Sequence, residues 1–513
     1  MTLPVQDGLP PGEHPSDRAG ELSKNVLLVS PATPETFWSF RHALRFIRRK
    51  ALLPPLGLLT VAAMLPRTWN LRLIDLNVSR LSDADLDWAD FVLITALILE
   101  ADSAREVAAR CRAKGKPVIA GGPLFTSRHE DFPQIDHFVL GEAETVMPAV
   151  VRDMASGALN RTYRSDERPD LAVTPVPRWD LIRFADYAMM PVQFSRGCPF
   201  NCEFCDITAM YGRVPRTKAP SQVIGELDAL VDAGWNGTIF LVDDNFIGHK
   251  VKAAALLREL VRWRRRRAVT LSFLTEASVN LAESPELLSL MVQAGFRRVF
   301  IGIETPNEES LAECAKVQNT GRDLAAAIRR IQNAGIEVMG GFILGFDHDG
   351  PGIFERQWRF IQDAGVVTAM VGLLNALPQT PLFTRLMNEG RILRESTGNN
   401  LDAVLNFVPK LDREVLVNGY RALVKRLYAP REYYERAVTY LREYRPTVPP
   451  EPLTRADLAA FVRSLWVMGV WSRGRRAFWK YLTRTLLHHR PAFAEAVNLA
   501  IKGHHFRKVA RQI

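Results

Sequence analysis

The run Cys198-Pro-Phe-Asn-Cys202-Glu-Phe-Cys205 places three of the chain's five cysteines within eight residues. Thiolates at this spacing can converge on one soft metal centre. A structural zinc site wants a fourth ligand nearby, and the next histidine along the chain is His249. Three thiolates on a 4Fe–4S cluster leave one iron open, and an open iron can bind a further group. Cys111 and Cys314 fall in helix-like stretches and read as buried apolar residues.

A strand has to present this loop. From Met190 onward, short apolar runs alternate with helical patterns. The expected strands are Val192–Ser195, Thr238–Val242, Thr270–Leu274, Arg298–Ile303, Glu337–Ile343 and Val366–Val371. Helical stretches such as Ser221–Ala233 and Lys250–Arg265 lie between them. Six successive βα units over residues 190–385 imply a partial TIM barrel, three-quarters of the eight-unit form. Chemistry in such barrels sits at strand C-termini. Asp243, Asp244, Glu276, Ser278, Glu304, Gly341 and Gly345 fall there.

The fold class is α/β, because a second alternation precedes the barrel. Val26–Val29, Leu71–Ile74, Phe91–Ile94, Val118–Ala120 and His137–Leu140 read as buried strands separated by helices such as Ala101–Lys114. That pattern argues for a doubly wound parallel sheet over residues 24–160. Ligands sit beyond the strand C-termini of such sheets, here near Thr95–Leu99, Gly121-Gly122 and Gly141-Glu142. Residues 161–189, polar and carrying Pro169, Pro175 and Pro177, read as a linker. Residues 386–513 carry a helical period over Asp412–Glu443 and Arg455–Ala510, broken at Pro446-Thr-Val-Pro-Pro450, and form a helical C-terminal domain. Residues 1–23 read as a disordered tail without the basic start and apolar core of a signal peptide.

Composition narrows the class. The chain has 513 residues, 47% hydrophobic and 24% charged, which excludes general disorder. Five cysteines are too few for a disulfide-stapled secreted fold and suit a reducing, cytoplasmic compartment. The most apolar stretch, Ala51–Leu65, is 15 residues long and carries Pro54 and Pro55. It is shorter than the roughly 20 residues a spanning helix needs, and reads as a buried helix. The net charge is +10, and residues 461–513 hold eleven Lys/Arg against one acid, Glu495. Trp466, Trp471, Phe478, Trp479 and Phe506 lie among these basic residues. Such a tail suits peripheral contact with a membrane or an anionic substrate, or simply a solvated basic face. Nucleic acid is not the expected partner.

The cysteine spacing, with Phe204 in the aromatic slot before Cys205 and a strand in front, resembles the radical S-adenosylmethionine (SAM) superfamily. The resemblance implies that Cys198, Cys202 and Cys205 ligate the cluster and that SAM chelates the open iron, where one electron cleaves it to a 5′-deoxyadenosyl radical. Val242-Asp243-Asp244-Asn245 stands where that family carries a Gly-Gly-Glu segment touching the SAM amino group; the departure is plain, but an acidic pair can still accept from an ammonium. Glu276 and Ser278 end the third strand. Glu304 resembles the acid that contacts ribose or methionine. Gly341 and Gly345 match the glycine-bearing fifth strand beside adenine.

A flavodoxin-like domain directly before this barrel resembles the cobalamin-binding radical SAM class, in a branch similar to hopanoid methylases; Phe37-Trp38-Ser39-Phe40, Pro54–Leu58 and Gly503-His-His-Phe506 carry that likeness over nearly all of residues 24–510. The D-x-H-x-x-G that ligates cobalt in many cobalamin proteins is missing: Asp136-His137 and Asp347-His348-Asp349-Gly350 lack its spacing. Cobalamin is therefore expected without a protein histidine ligand. Thr95 and Leu97 would face the corrin, Gly121 and Gly122 its nucleotide tail, and Glu142 a ribose or amide. The class implies methyl transfer to an unactivated carbon of a small molecule or lipid, using two SAM per turnover and a flavodoxin or ferredoxin as reductant. Radical cyclisation, ring contraction or rearrangement without methylation is the alternative. Tyr428, Tyr433 and Tyr434 are candidates either to line the substrate cavity or to pack in the core.

Overall fold

The computed structural model describes residues 23–399, 403–446 and 454–513. The tail read over residues 1–23 lies outside the described residues apart from Ser23, as do residues 447–450 of the break after Pro446.

Strands β1 (Asn25–Ser30), β2 (Asn70–Asp75), β3 (Phe91–Thr95), β4 (Val118–Gly121), β5 (His137–Leu140) and β6 (Thr162–Arg164) form one parallel sheet in the order β2-β1-β3-β4-β5-β6. Successive side chains of β1 point to opposite faces. Leu27 and Val29 meet Val107, Ala108 and Cys111 in one core layer. Val26 and Leu28 meet Leu58, Ala62, Val150 and Met154 in the other. Burial on both faces is why these strands are apolar runs. The helix Leu56–Ala63 occupies the stretch that begins after the two prolines.

β6 corrects the linker reading of residues 161–189. Only Tyr163 of its three residues is buried, so no alternation marks it, yet it pairs with β5 through Phe138, Val139 and Leu140. The Tyr163 hydroxyl donates to Asp153 at 2.8 Å, tying β6 to the preceding helix Met147–Ser156.

The barrel strands are β7 (Met189–Val192), β10 (Thr238–Leu241), β11 (Phe273–Glu276), β12 (Phe296–Glu304), β13 (Glu337–Leu344) and β14 (Ala369–Leu373); β8 (Ser195–Arg196) and β9 (Arg216–Thr217) form a short antiparallel ribbon beside them. The six long strands are parallel, in the order β14-β13-β12-β11-β10-β7. The first strand lies three residues earlier than the apolar pattern Val192–Ser195 suggests. The amides of Phe194 and Ser195 donate to the Asp243 carboxylate instead of a strand partner, so the chain leaves the sheet there. β11 and β14 lie three residues later than the patterns at Thr270 and Val366; Val366 and Val367 are buried before their strand begins.

Helices Arg413–Leu427, Pro430–Glu443, Arg455–Ser464, Arg475–His488 and Phe493–Val509 form the C-terminal domain, with a π-helical turn over Leu465–Trp471. Ion pairs tie the last helix to β12 and β13. Lys502 and Arg298 both pair with Glu337, and Arg298 reaches Glu495 at 3.5 Å. The Phe37–Phe40 segment joins this plug: Phe37 and Phe40 pack on Phe506, and Trp38 stands edge-on to Phe300 of β12 at 5.0 Å. Tyr428, Tyr433 and Tyr434 belong to the same core, and the first two donate to the carbonyls of Ala369 and Leu499.

Glu337 is a buried acid shared by two cations, Arg298 and Lys502. Removing one partner from such a group costs about 3–5 kcal/mol. Glu337→Ala is therefore expected to lower the chain's stability by that order in chemical denaturation; an unchanged midpoint would show that the plug does not depend on this carboxylate.

Candidate functional site

The cysteine loop leaves the β8 ribbon through Gly197, whose φ is +94°. A Cβ there would stand 2.8 Å from the Gly212 carbonyl, so only glycine lets the chain turn toward Cys198. The Cys198 amide then donates to that carbonyl at 3.2 Å. Farther along, the Glu203 amide donates to the Cys314 carbonyl at 2.9 Å, and the Glu203 carboxylate grips Arg385. The side-chain amides of Asn245 and Gln318 point at the sulfurs of Cys198 and Cys202, at 3.8 and 3.5 Å. The three cysteines are free thiols, and burial pushes the Cys205 thiol up to about 12. Metal ligation deprotonates such thiols outright. Among the described residues, no group of three or more His, Cys, Asp or Glu is arranged to hold one ion.

The acids at the strand ends divide by task. Asp244 accepts from the Gly197 amide at 2.9 Å, and Asp243 accepts from the amides of Phe194 and Ser195. Both brace the loop. One Asp243 oxygen is buried and unpartnered, and burial raises its carboxyl to about 7. Glu276 closes β11 beside them. Burial, with Asp244 and Asp243 adding repulsion, raises its carboxyl to about 8, with no hydrogen bond opposing the rise. These unsatisfied carboxyls fit an incoming ammonium such as that of SAM. Ser278 contacts Asn245 and donates to Asn280 at 2.7 Å.

Glu304 ends β12 with φ at +65°, a conformation that costs energy for a non-glycine residue. It pairs with Lys316 at 2.6 Å, and the Lys316 ammonium lies 5.8 Å from the centroid of the Phe204 ring. The Asn319 amide holds the carbonyls of Gly302 and Ile303. Protein fills the space beside Gly341 of β13 and Gly345 just past its end: a Cβ at Gly341 would meet the Phe300 ring at 2.7 Å, and one at Gly345 would meet Leu416 at 3.0 Å.

A cavity of about 280 Å³ opens where the first sheet meets the barrel. Thr95, Gly121, Gly122 and Glu142 line it from the sheet, and Gln193, Arg196, Tyr211 and Lys218 from the barrel side. Leu56, Val61, Met64 and Val150 form an apolar wall. Gly122 has φ +95°, and a Cβ there would collide with the Thr95 hydroxyl. No described histidine is part of the lining. His348 and Asp347 serve elsewhere, pairing with Glu313 and with Arg385 and Arg391. Leu97 lies outside this cavity and is 46% exposed.

Three family models match the chain: the radical SAM superfamily over residues 192–356, the B12 binding domain over 44–151, and a domain of unknown function, DUF4070, over 380–513. Over 95% of its length the chain is 41% identical to an uncharacterised methyltransferase of Synechocystis sp., covering 92% of that protein. It is 32% identical to the hopanoid C-2 methylase of Rhodopseudomonas palustris, over 96% of this chain and 95% of that one. The chain belongs to the cobalamin-binding radical SAM enzymes. Its fold agrees: the radical SAM methyltransferase TsrM of Kitasatospora setae, with cobalamin and a 4Fe–4S cluster bound, superposes with a TM-score of 0.60 at 16% identity, covering 91% of this chain and all of that one. The cobalamin-dependent enzyme OxsB gives 0.62 at 16% identity, over 96% of this chain and 80% of that chain. The cofactors of this radical SAM enzyme are thus a 4Fe–4S cluster, SAM and cobalamin.

Sequence reasoning does not single out several residues of this candidate site, Lys316 and Arg196 among them. Arg196 stands two residues before Cys198 and binds Glu142 and Glu144, each at 2.6 Å. Arg216 holds the second Glu142 oxygen, also at 2.6 Å. Glu142 is thus a joint between domains. Burial favours a neutral Glu144, yet the Arg196 guanidinium holds its carboxyl below the usual range. The adjacency of Arg196 to the motif was visible; its partners, more than fifty residues away, were not.

Glu276 makes the ligand-free fold pH-sensitive. Its carboxyl sits near 8 in the folded chain and near about 4.3 unfolded. The folded state holds the extra proton, so this contribution is complete at low pH and is lost as the pH rises from about 4 to about 8. Glu276→Gln should raise the denaturation midpoint of the ligand-free chain at pH 8, with the gain fading toward pH 4. A gain independent of pH would place the proton elsewhere.

Proposed function

We propose that this enzyme transfers a methyl group to an unactivated carbon of a small molecule or lipid. One observation carries the proposal most directly: Arg196 leads into the cysteine loop and also lines the cavity at the sheet's glycines, so the two cofactor sites share one side chain. When bound, the cluster supplies one-electron cleavage of SAM, and the corrin carries the methyl group. Cys198, Cys202 and Cys205 hold the cluster, and Phe204 shields it under Lys316. Glu276, with the free oxygen of Asp243, accepts from the SAM ammonium. Asp244, Asn245 and Ser278 orient the loop. Glu304 fixes Lys316 for a carboxylate. Gly341 and Gly345 shape the adenine side through Phe300 and Leu416. Gly121 and Gly122 would receive the nucleotide tail of cobalamin, Thr95 would face its corrin, and Glu142 positions the wall; no described histidine lines the cavity.

The full-length likeness to a hopanoid C-2 methylase supports a polycyclic lipid as the substrate class. A flavodoxin or ferredoxin as reductant and a peripheral contact with the membrane belong to the same proposal.

Anaerobic incubation with candidate lipids, SAM and a reductant should yield a product heavier by one CH₂, together with S-adenosylhomocysteine and 5′-deoxyadenosine. Cys202→Ala should abolish SAM cleavage and leave corrin binding intact. Deoxyadenosine without S-adenosylhomocysteine would replace methylation by cyclisation, contraction or rearrangement.

A further inference from the structure

The helices after the barrel carry an exposed apolar stripe. Leu458, Val462, Trp466 and Val470 recur every four residues along Arg455–Ser464 and the π-helical turn that follows, and all four are exposed, Trp466 by 60%. Trp471 is 73% exposed, and its ring centroid lies 6.3 Å from that of Trp466. Trp479 of the next helix packs its indole on Gly469 and donates to the Gly469 carbonyl at 3.0 Å, so both helices contribute to one surface. Leu486, seven residues on from Trp479, extends the same helix face and is also exposed. Contiguous apolar groups of this kind mark an interaction surface.

Charge selects the partner. Residues 458–494 hold seven Lys/Arg and no acid. Arg473, Arg475, Arg476 and Lys480 are exposed beside the tryptophans. We propose that this surface docks on an anionic lipid bilayer, with Trp466, Trp471 and Trp479 seated at the interface and the four cations on headgroup phosphates. Indoles favour that interface, and cations beside them gain from anionic lipid. A second copy of the chain fits poorly, because a two-fold contact would oppose like charges with no acid between them. Nucleic acid would leave Leu458, Val462, Val470 and Leu486 without apolar partners. Among the described residues no helix is long and apolar enough to cross a membrane, so the contact is peripheral. The inference deepens the lipid-facing part of the proposed function, and its test requires no turnover.

The test is flotation of the full reconstituted chain with phosphatidylcholine vesicles, with and without phosphatidylglycerol. Binding should require phosphatidylglycerol, blue-shift the tryptophan emission and weaken with salt. The double variant Trp466→Ala/Trp471→Ala should bind about tenfold more weakly, and Arg475→Glu/Arg476→Glu should also lose binding, with iron content and circular dichroism unchanged in both. Failure of the wild-type chain to float with anionic vesicles would overturn the proposal. So would equal flotation of the tryptophan variant, or a tryptophan-dependent dimer or DNA complex in place of vesicle binding. Any of these would leave the methyl-transfer reading standing, because product analysis on dispersed substrate is independent of vesicles.

Discussion

Three thiols, one buried and two partly buried, have to be held close together with no disulfide to join them. Everything else in the site follows from how the chain meets that constraint. The thiols themselves contribute no attraction, and burial opposes the ionisation of Cys198 and Cys205. The backbone around them is therefore held from outside. Asp243 takes two amides at the end of the first barrel strand, and Asp244 takes the Gly197 amide. Glu203, inside the motif, is fixed from the far side by Arg385, which also pairs with Asp347. Buried carboxylates accepting backbone amides are a costly device, but they place a loop without using its side chains, which stay free for iron.

The same stretch of chain sets the relation between the two cofactor domains. Arg196 is almost buried, and it bonds two glutamates of the first domain whose side chains are only 5% and 3% exposed. Buried ion pairs of this kind add little net stability, yet they penalise every misaligned arrangement because any break leaves a desolvated charge. The contact lies beside Gly197 and Cys198 and lines the cavity at Gly121 and Gly122. A shift of the sheet relative to the barrel would disturb the cluster loop directly. At the other end of the barrel, Glu337 repeats the device with Arg298 and Lys502, fixing the last helix as a plug.

Most of the architecture was legible in the sequence because it rests on local pattern. Strands buried on both faces, such as β1, are apolar runs, and the cysteine motif is a matter of spacing alone. What was not legible depends on distant partners. β6 has one buried side chain and no pattern to show. The first barrel strand ends early because a carboxylate 49 residues ahead captures its amide. Glu142 looked like an acceptor for a cofactor, and its two oxygens belong to arginines of the next domain. Gly341 looked like a site of ligand approach, and the space it leaves is filled by Phe300. Lys316 had no signal at all, since its meaning comes from Glu304 and Phe204 across the barrel mouth.

Electron paramagnetic resonance of the anaerobically reconstituted, reduced chain, recorded with and without SAM, addresses the vacant coordination position directly. The account predicts about four irons per chain and a cluster signal that changes when SAM is added. Zinc in place of iron, or a cluster signal indifferent to SAM, would contradict it.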